Sequence, residues 1–308
     1  MTPHALDISR KVAPNPGVLP SLRGIDVADA VIPVFKEGGD RITRISFNDR
    51  YPLEAWVENV RSGGKDHLIM PALEGLEPEI IEKVLSQYRG NLAQKIIDHK
   101  TMYGVAMTDV AGHKDEGLIV NAAFHQALLT GILDHLPLRG EVPVALFENL
   151  NTRFKKTDDH ETSIALMYGE ISENGRFRYL AANSHAPMLY SAQYGKILHL
   201  SDSHASCFAI GVGLSTAPGS EEHDDNDFFP KPPYEVNEIE IAKGDILLLY
   251  SDGLADYRNG EYFAGGLEER LLQTKDNSAR DICGAIKEDV SVGKRGDDIS
   301  YVVIKKND

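Results

Sequence analysis

Four times along this chain an aspartate borders an apolar or β-rich run and stands among small residues. These are Asp40 in Glu37-Gly38-Gly39-Asp40, Asp109 in Thr108-Asp109-Val110-Ala111-Gly112, Asp252 in Tyr250-Ser251-Asp252-Gly253, and Asp297 in Gly296-Asp297-Asp298-Ile299-Ser300. Such an arrangement brings carboxylates to strand ends, where glycines permit close backbone approach and abrupt stops. Only oxygen donors are on offer, which suits Mg²⁺ or Mn²⁺, whereas a zinc site would show His or Cys at short spacing. Gathered in one cleft, these acids would repel one another, and without a cation their pKa values would rise or the site would be pushed open. The chemistry expected of such a centre is metal-assisted attack on a phosphate.

The chain has 308 residues, 42% of them apolar, enough for one large packed domain or two small ones. Lys and Arg number 32 against 47 Asp and Glu, a formal charge of −15, which argues against a nucleic-acid or anionic-membrane surface. No apolar stretch reaches the roughly 18 residues of a membrane span, and Met1 to Leu19 has no signal-like pattern. Cys207 and Cys283 lack disulfide or metal spacing and read as buried spectators, so a reducing cytoplasm is the expected setting.

Gly24 to Phe47 reads as extended on both sides of the Gly38-Gly39 break, with Asp40 at a turn between two strands. From Pro52 to Lys100 the pattern predicts a helical insertion, with Ile80, Val84, Tyr88, Leu92 and Ile96 as its apolar stripe. Met102 to Met107 predicts a buried strand delivering Asp109, followed by helices over Glu116–Leu136 and Val144–Phe154. Ser163–Ile171 and Arg176–Ala182 alternate around Asn174-Gly175, a strong hairpin signal. Short strands are expected at Met188–Tyr190, Ile197–Leu200 and Val236–Ile241. The continuous run Ile246–Tyr250 suits a central strand ending at Asp252. Helices over Leu267–Gln273 and Ala279–Val290 and a strand over Ile299–Ile304 complete a layered α+β pattern. The acid-rich stretch from Glu221 to Asp227 has no regular ligand spacing and reads as a solvated loop.

The order Glu-Gly-Gly-Asp, Asp-Val-Ala-Gly-His, Ala182-Asn183-Ser184-His185-Ala186-Pro187, Leu249-Tyr250-Ser251-Asp252-Gly253 and Asp297-Asp298-Ile299-Ser300 resembles the SpoIIE-like branch of bacterial metal-dependent (type 2C, PPM) protein phosphatases. The resemblance runs from about Ser21 to Lys306, leaving residues 1–20 as an N-terminal extension and 21–308 as the phosphatase domain. It implies two stacked, mainly antiparallel β-sheets flanked by helices, an α-β-β-α sandwich, with two Mn²⁺ or Mg²⁺ ions at one end. Asp40 and Asp109, with the carbonyl of Val110, would hold one ion, and Asp109, Asp252 and Asp297 the other. A metal-activated water would then hydrolyse phosphoserine or phosphothreonine on a signalling protein such as an anti-sigma-factor antagonist. The alternative is a weakly active or inactive phosphatase-fold binding protein.

The chain departs from the family in three places. The Asp40 to Asp109 connection is long, Lys114 replaces a small residue, and Asn183-Ser184 stands where Ala-Gly is usual. The helical stretch in that connection is expected to act as a regulatory or dimerising element, the alternative being a passive cap that buries its own stripe against the domain. Asp298 is expected to support the site rather than ligate, and His185 to be structural. His113 reads as a phosphate contact or as structural.

Overall fold

The computed structural model describes residues 24–34, 40–48, 51–61, 64–71, 101–111, 114–139, 141–155, 163–200, 208–212 and 234–307. β1 (Ile25–Ile32) and β2 (Arg41–Asn48) flank Asp40, as expected, but do not pair with each other. β1 joins the five-stranded sheet, where it lies antiparallel to β12 (Ile299–Lys306), followed by β11 (Ile246–Tyr250), β8 (Met188–Ser191) and β9 (Lys196–His199). β2 joins the seven-stranded sheet, whose order is β10 (Asn237–Glu240), β7 (Arg176–Ala182), β6 (Ser163–Ser172), β5 (Thr101–Ala111), β2, β3 (Tyr51–Arg61) and β4 (Gly64–Pro71). Neighbouring strands within both sheets are antiparallel.

Side-chain alternation sorts the residues of these strands into three apolar layers. On β11, Leu247 and Leu249 face the space between the sheets with Val105, Met107, Phe177 and Val302. The alternate residues Ile246, Leu248 and Tyr250 face outward onto α3 (Leu267–Thr274) and α4 (Ala279–Ser291), through Leu267, Leu271, Ile282 and Ile286. The seven-stranded sheet likewise turns Ile45, Ala106, Leu166 and Leu180 onto α1 (Lys114–Arg139) and α2 (Val144–Phe154), against Phe124, Leu128, Phe147 and Leu150. Helix, sheet, sheet and helix are thus stacked, and the apolar run at Ile246–Tyr250 belongs to a strand buried on both faces.

The Asn174-Gly175 hairpin forms as the sequence requires, with Ile171 opposite Phe177 and Gly175 at φ +93°. The helical reading of Pro52 to Lys100 is corrected in its first part. Residues 51–71 form the β3–β4 hairpin, with only residues 62–63 between its strands. Trp56 and Val57 are β-formers, and Ser62-Gly63-Gly64 is turn chemistry, so the local propensity was for strand all along. The apolar stripe from Ile80 to Ile96 lies outside the described residues, as do Cys207 and the acidic loop at 221–227. Cys283 is buried, as expected. Among the described residues no helix is long and apolar enough to cross a membrane.

Candidate metal centre

Each sheet contributes one pair of neighbouring strands to the site. In the seven-stranded sheet the β2–β5 ladder pairs Ile42 with Met107 and Arg41 with Thr108. One step further along this antiparallel register, Asp40 stands opposite Asp109. In the five-stranded sheet β11 and β12 pair Tyr250 with Tyr301. Asp252 follows β11 at the head of the helical turn Asp252–Ala255, and Asp297 and Asp298 precede β12. Ser251 and Ser300 tie these two strand ends together. The Ser251 N–H donates to the Ser300 carbonyl at 2.9 Å, and the Ser300 N–H donates to Ser251 Oγ at 2.9 Å. Gly253 is required by the packing, since a Cβ there would lie 1.9 Å from the Asp298 carbonyl oxygen.

A hydrogen bond joins the two halves of the site. Ser300 Oγ on β12 donates to Asp40 Oδ2 at 2.5 Å, with Asp40 3% and Ser300 2% exposed. Asp298, 6% exposed, accepts the Val34 N–H at 2.7 Å on Oδ1, while its own N–H donates to Asp297 Oδ1 at 2.8 Å. It therefore braces the end of β1 against the site, in keeping with a supporting position. His185 is exposed, and its ring stacks on Tyr250 at 5.3 Å between centroids. Gly112 and His113 lie outside the described residues.

The carboxylates act on one another. Burial first, then the charge of Asp109, then Asp298 and Asp252, push the Asp40 carboxyl well above its ordinary value, against the Ser300 hydrogen bond. Asp109 is pushed up to about 6 by burial and by Asp252, Asp297 and Asp298, against the Val110 backbone N–H. Asp297, at the exposed rim, is raised by partial desolvation and by Asp252 and Asp298 among its neighbours. The four predicted aspartates and Asp298 thus share one electrostatic neighbourhood, and the upward shifts are those expected of clustered acids that lack a countercharge. Among the described residues no trio of acidic, His or Cys side chains closes on a single point. An all-oxygen donor set whose members repel one another fits a hard divalent cation, which would supply the missing charge. The Val110 side chain lies in the core beneath α1. Sequence reasoning gave Ser300 no role of its own, although its place in Asp297-Asp298-Ile299-Ser300 was in view.

Residues 99–307 match the family model for Stage II sporulation protein E (SpoIIE). The chain is 23% identical over 216 residues to phosphoserine phosphatase RsbU of Bacillus subtilis (strain 168), a match covering 69% of this chain and 57% of that protein. The RsbU and RsbW domains of Rv1364c from Mycobacterium tuberculosis superpose with a TM-score of 0.58 at 17% identity, over 92% of this chain and 62% of that one. The PP2C phosphatase domain of SpoIIE from Bacillus subtilis, solved with a fragment of its regulatory domain, gives 0.54 at 14% identity, over 91% of this chain and 63% of that one. The matches therefore span less than two thirds of each of these three relatives.

Proposed function

The chain belongs to the SpoIIE family, and from that premise we propose that it is a metal-dependent phosphoprotein phosphatase acting on phosphoserine or phosphothreonine. The observation that carries the reading is the meeting of acids from both sheets at one end of the sandwich, with Asp109 raised to about 6 and Asp40 raised well above its ordinary value by burial and charge. Asp40, Asp109 and the Val110 carbonyl would hold one Mg²⁺ or Mn²⁺, and Asp109, Asp252 and Asp297 would hold the other. When bound, the pair supplies a water acidified enough to attack phosphorus at neutral pH.

The chain's own residues prepare that site. Ser300 fixes Asp40 by donating to one carboxylate oxygen. The Val110 N–H steadies the Asp109 carboxylate. Asp298 spends one oxygen on the Val34 N–H and so holds the β1 end in place. Asp252 and Asp297 are solvent-exposed, which leaves the mouth of the site open to a phosphorylated side chain on another protein. The substrate is a phosphorylated signalling protein of the anti-sigma-factor antagonist kind, as the motif order implies, and the similarity to phosphoserine phosphatase RsbU supports a phosphoserine target.

The test is hydrolysis of a phosphoserine peptide by the full chain with Mn²⁺, with Mg²⁺ and with chelator. Turnover that requires either cation and disappears in Asp252→Asn is expected. Undiminished turnover in chelator would refute the metal reading, and hydrolysis of only a chromogenic small ester would redirect the substrate class.

A further inference from the structure

Beneath the Asp40–Asp109 pair lies a buried polar chain that the phosphatase reading does not use. α1 presents Asn121, Phe124, His125 and Leu128 toward the seven-stranded sheet, positions one turn apart on the same face. Phe124 and Leu128 belong to the apolar layer there, but Asn121 is 1% and His125 5% exposed. His125 Nδ1 lies 2.7 Å from Thr43 Oγ1 and Nε2 2.5 Å from Thr108 Oγ1. The Thr108 hydroxyl donates to Asn121 Oδ1 at 2.9 Å.

The directions of these bonds follow from the proton count. Because the Thr108 proton is committed to Asn121, Thr108 accepts from His125, so Nε2 carries the imidazole proton. Nδ1 then accepts from the Thr43 hydroxyl. Burial, with the charge of Arg41, lowers the His125 pKa to about 3, which keeps the ring neutral at working pH as both bonds require. The order Thr43 to His125 to Thr108 to Asn121 is a single directed chain anchored on β2, α1 and β5.

An apolar side chain would fill this place without the desolvation that a buried imidazole and amide incur. A fully satisfied polar chain instead specifies one arrangement of the elements it joins. What it joins here is specific: Thr108 immediately precedes Asp109, Thr43 lies three residues after Asp40, and the two threonines are diagonal neighbours on the helix-facing side of the β2–β5 ladder. We infer that His125 is a positioning residue, locking β2 and β5 in the register that holds Asp40 and Asp109 opposite each other across the metal site. This rests on the proposal that these two aspartates are ligands.

The test compares the full chain with His125→Leu, His125→Gln and Thr108→Val. Mn²⁺ binding is measured by calorimetry, and hydrogen exchange of the β2 and β5 amides is followed in metal-free protein. A glutamine can accept from Thr43 through Oε1 and donate to Thr108 through Nε2, whereas leucine can do neither. Outer-shell partners of metal ligands typically matter by about 10- to 100-fold in affinity, and a Mn²⁺ affinity lower by that order is expected in His125→Leu and Thr108→Val. Faster exchange in β2 and β5 should accompany it, and His125→Gln should restore both. Parent-like affinity and exchange in His125→Leu would overturn the inference, as would a glutamine variant no better than leucine. If His125→Leu does not fold, Thr108→Val decides by the same readouts. If the parent itself binds no Mn²⁺, it is the metal reading that fails, and the exchange comparison still decides whether His125 holds the two strands.

Discussion

Replacing Asp109 with asparagine should make the metal-free protein more stable while removing its function. In the folded chain the Asp109 carboxyl is displaced from 3.8 to about 6. It therefore keeps its proton to higher pH than it would in the unfolded chain. The folded state binds the extra proton, so this group's contribution is fully present below pH 3.8 and is lost as pH rises through about 6. At 1.36 kcal/mol per pH unit the loss by pH 7 is about 3 kcal/mol. Asparagine has a similar shape and no charge, so it should recover a stability of this order at pH 7 and little at pH 4. For a domain of this size that gain corresponds to about 6 to 12 °C in Tm. The assay is thermal and urea denaturation of both proteins in chelator at pH 4 and pH 7, followed by the same series with saturating Mn²⁺. The parent should gain far more from Mn²⁺ than the variant, reversing the order of stability. A metal-free Asp109→Asn protein less stable than the parent at pH 7 would refute the electrostatic reasoning, as would a parent whose stability is flat from pH 4 to pH 7.

Three further outcomes follow from the same geometry. Asp252→Asn should abolish turnover with little change in Tm, because Asp252 is exposed; paired activity and melting measurements check it. Ser300→Ala removes a donor from a buried carboxylate, a loss of about 1.5 to 3 kcal/mol for a bond to a charged group. Mn²⁺ titration should show weaker binding, and Ser300→Thr should restore it. Gly253→Ala forces a Cβ to within 1.9 Å of the Asp298 carbonyl, and overpacking of this kind costs about 1 to 3 kcal/mol or more. Its melting point should fall, and Mn²⁺ should recover less of the loss than it does for Ser300→Ala.

Much of the fold was legible because its signals are local. The alternation on either side of Asn174-Gly175 and the apolar run at Ile246–Tyr250 each announce a strand without reference to distant residues. The β3–β4 hairpin was missed because the strong helical stripe further along, at Ile80 to Ile96, was extended back over residues whose own signal was Trp56, Val57 and Ser62-Gly63-Gly64. The four aspartates could be picked out one by one, but not that Asp40 stands opposite Asp109, since that depends on a register set between segments far apart in the chain. The same limit hid Ser300 as the partner of Asp40, a contact across 260 positions. His125 escaped notice because a lone polar residue beside an apolar stripe looks like its wet edge. Only Asn121, one turn before it, hinted otherwise.

The pairing of β1 with β12 imposes an order of assembly. Strands β2 to β7 follow one another in sequence and fill six consecutive places of their sheet, β5 returning past β3 and β4 to pair with β2, so they can pair as the chain leaves the ribosome. β1 emerges before any of them, yet its neighbour in the other sheet is β12, the last of the described strands to be made, with Ile25 opposite Lys306. Until then its edge has no native partner. Over the same interval Asp40 and Asp109 are held face to face by the completed half, while Ser300, Asp252 and Asp297 have not arrived. A nascent chain stalled before β12 therefore carries two opposed acids without the hydroxyl that steadies one of them, and the closing strand completes the sandwich and the site in one step.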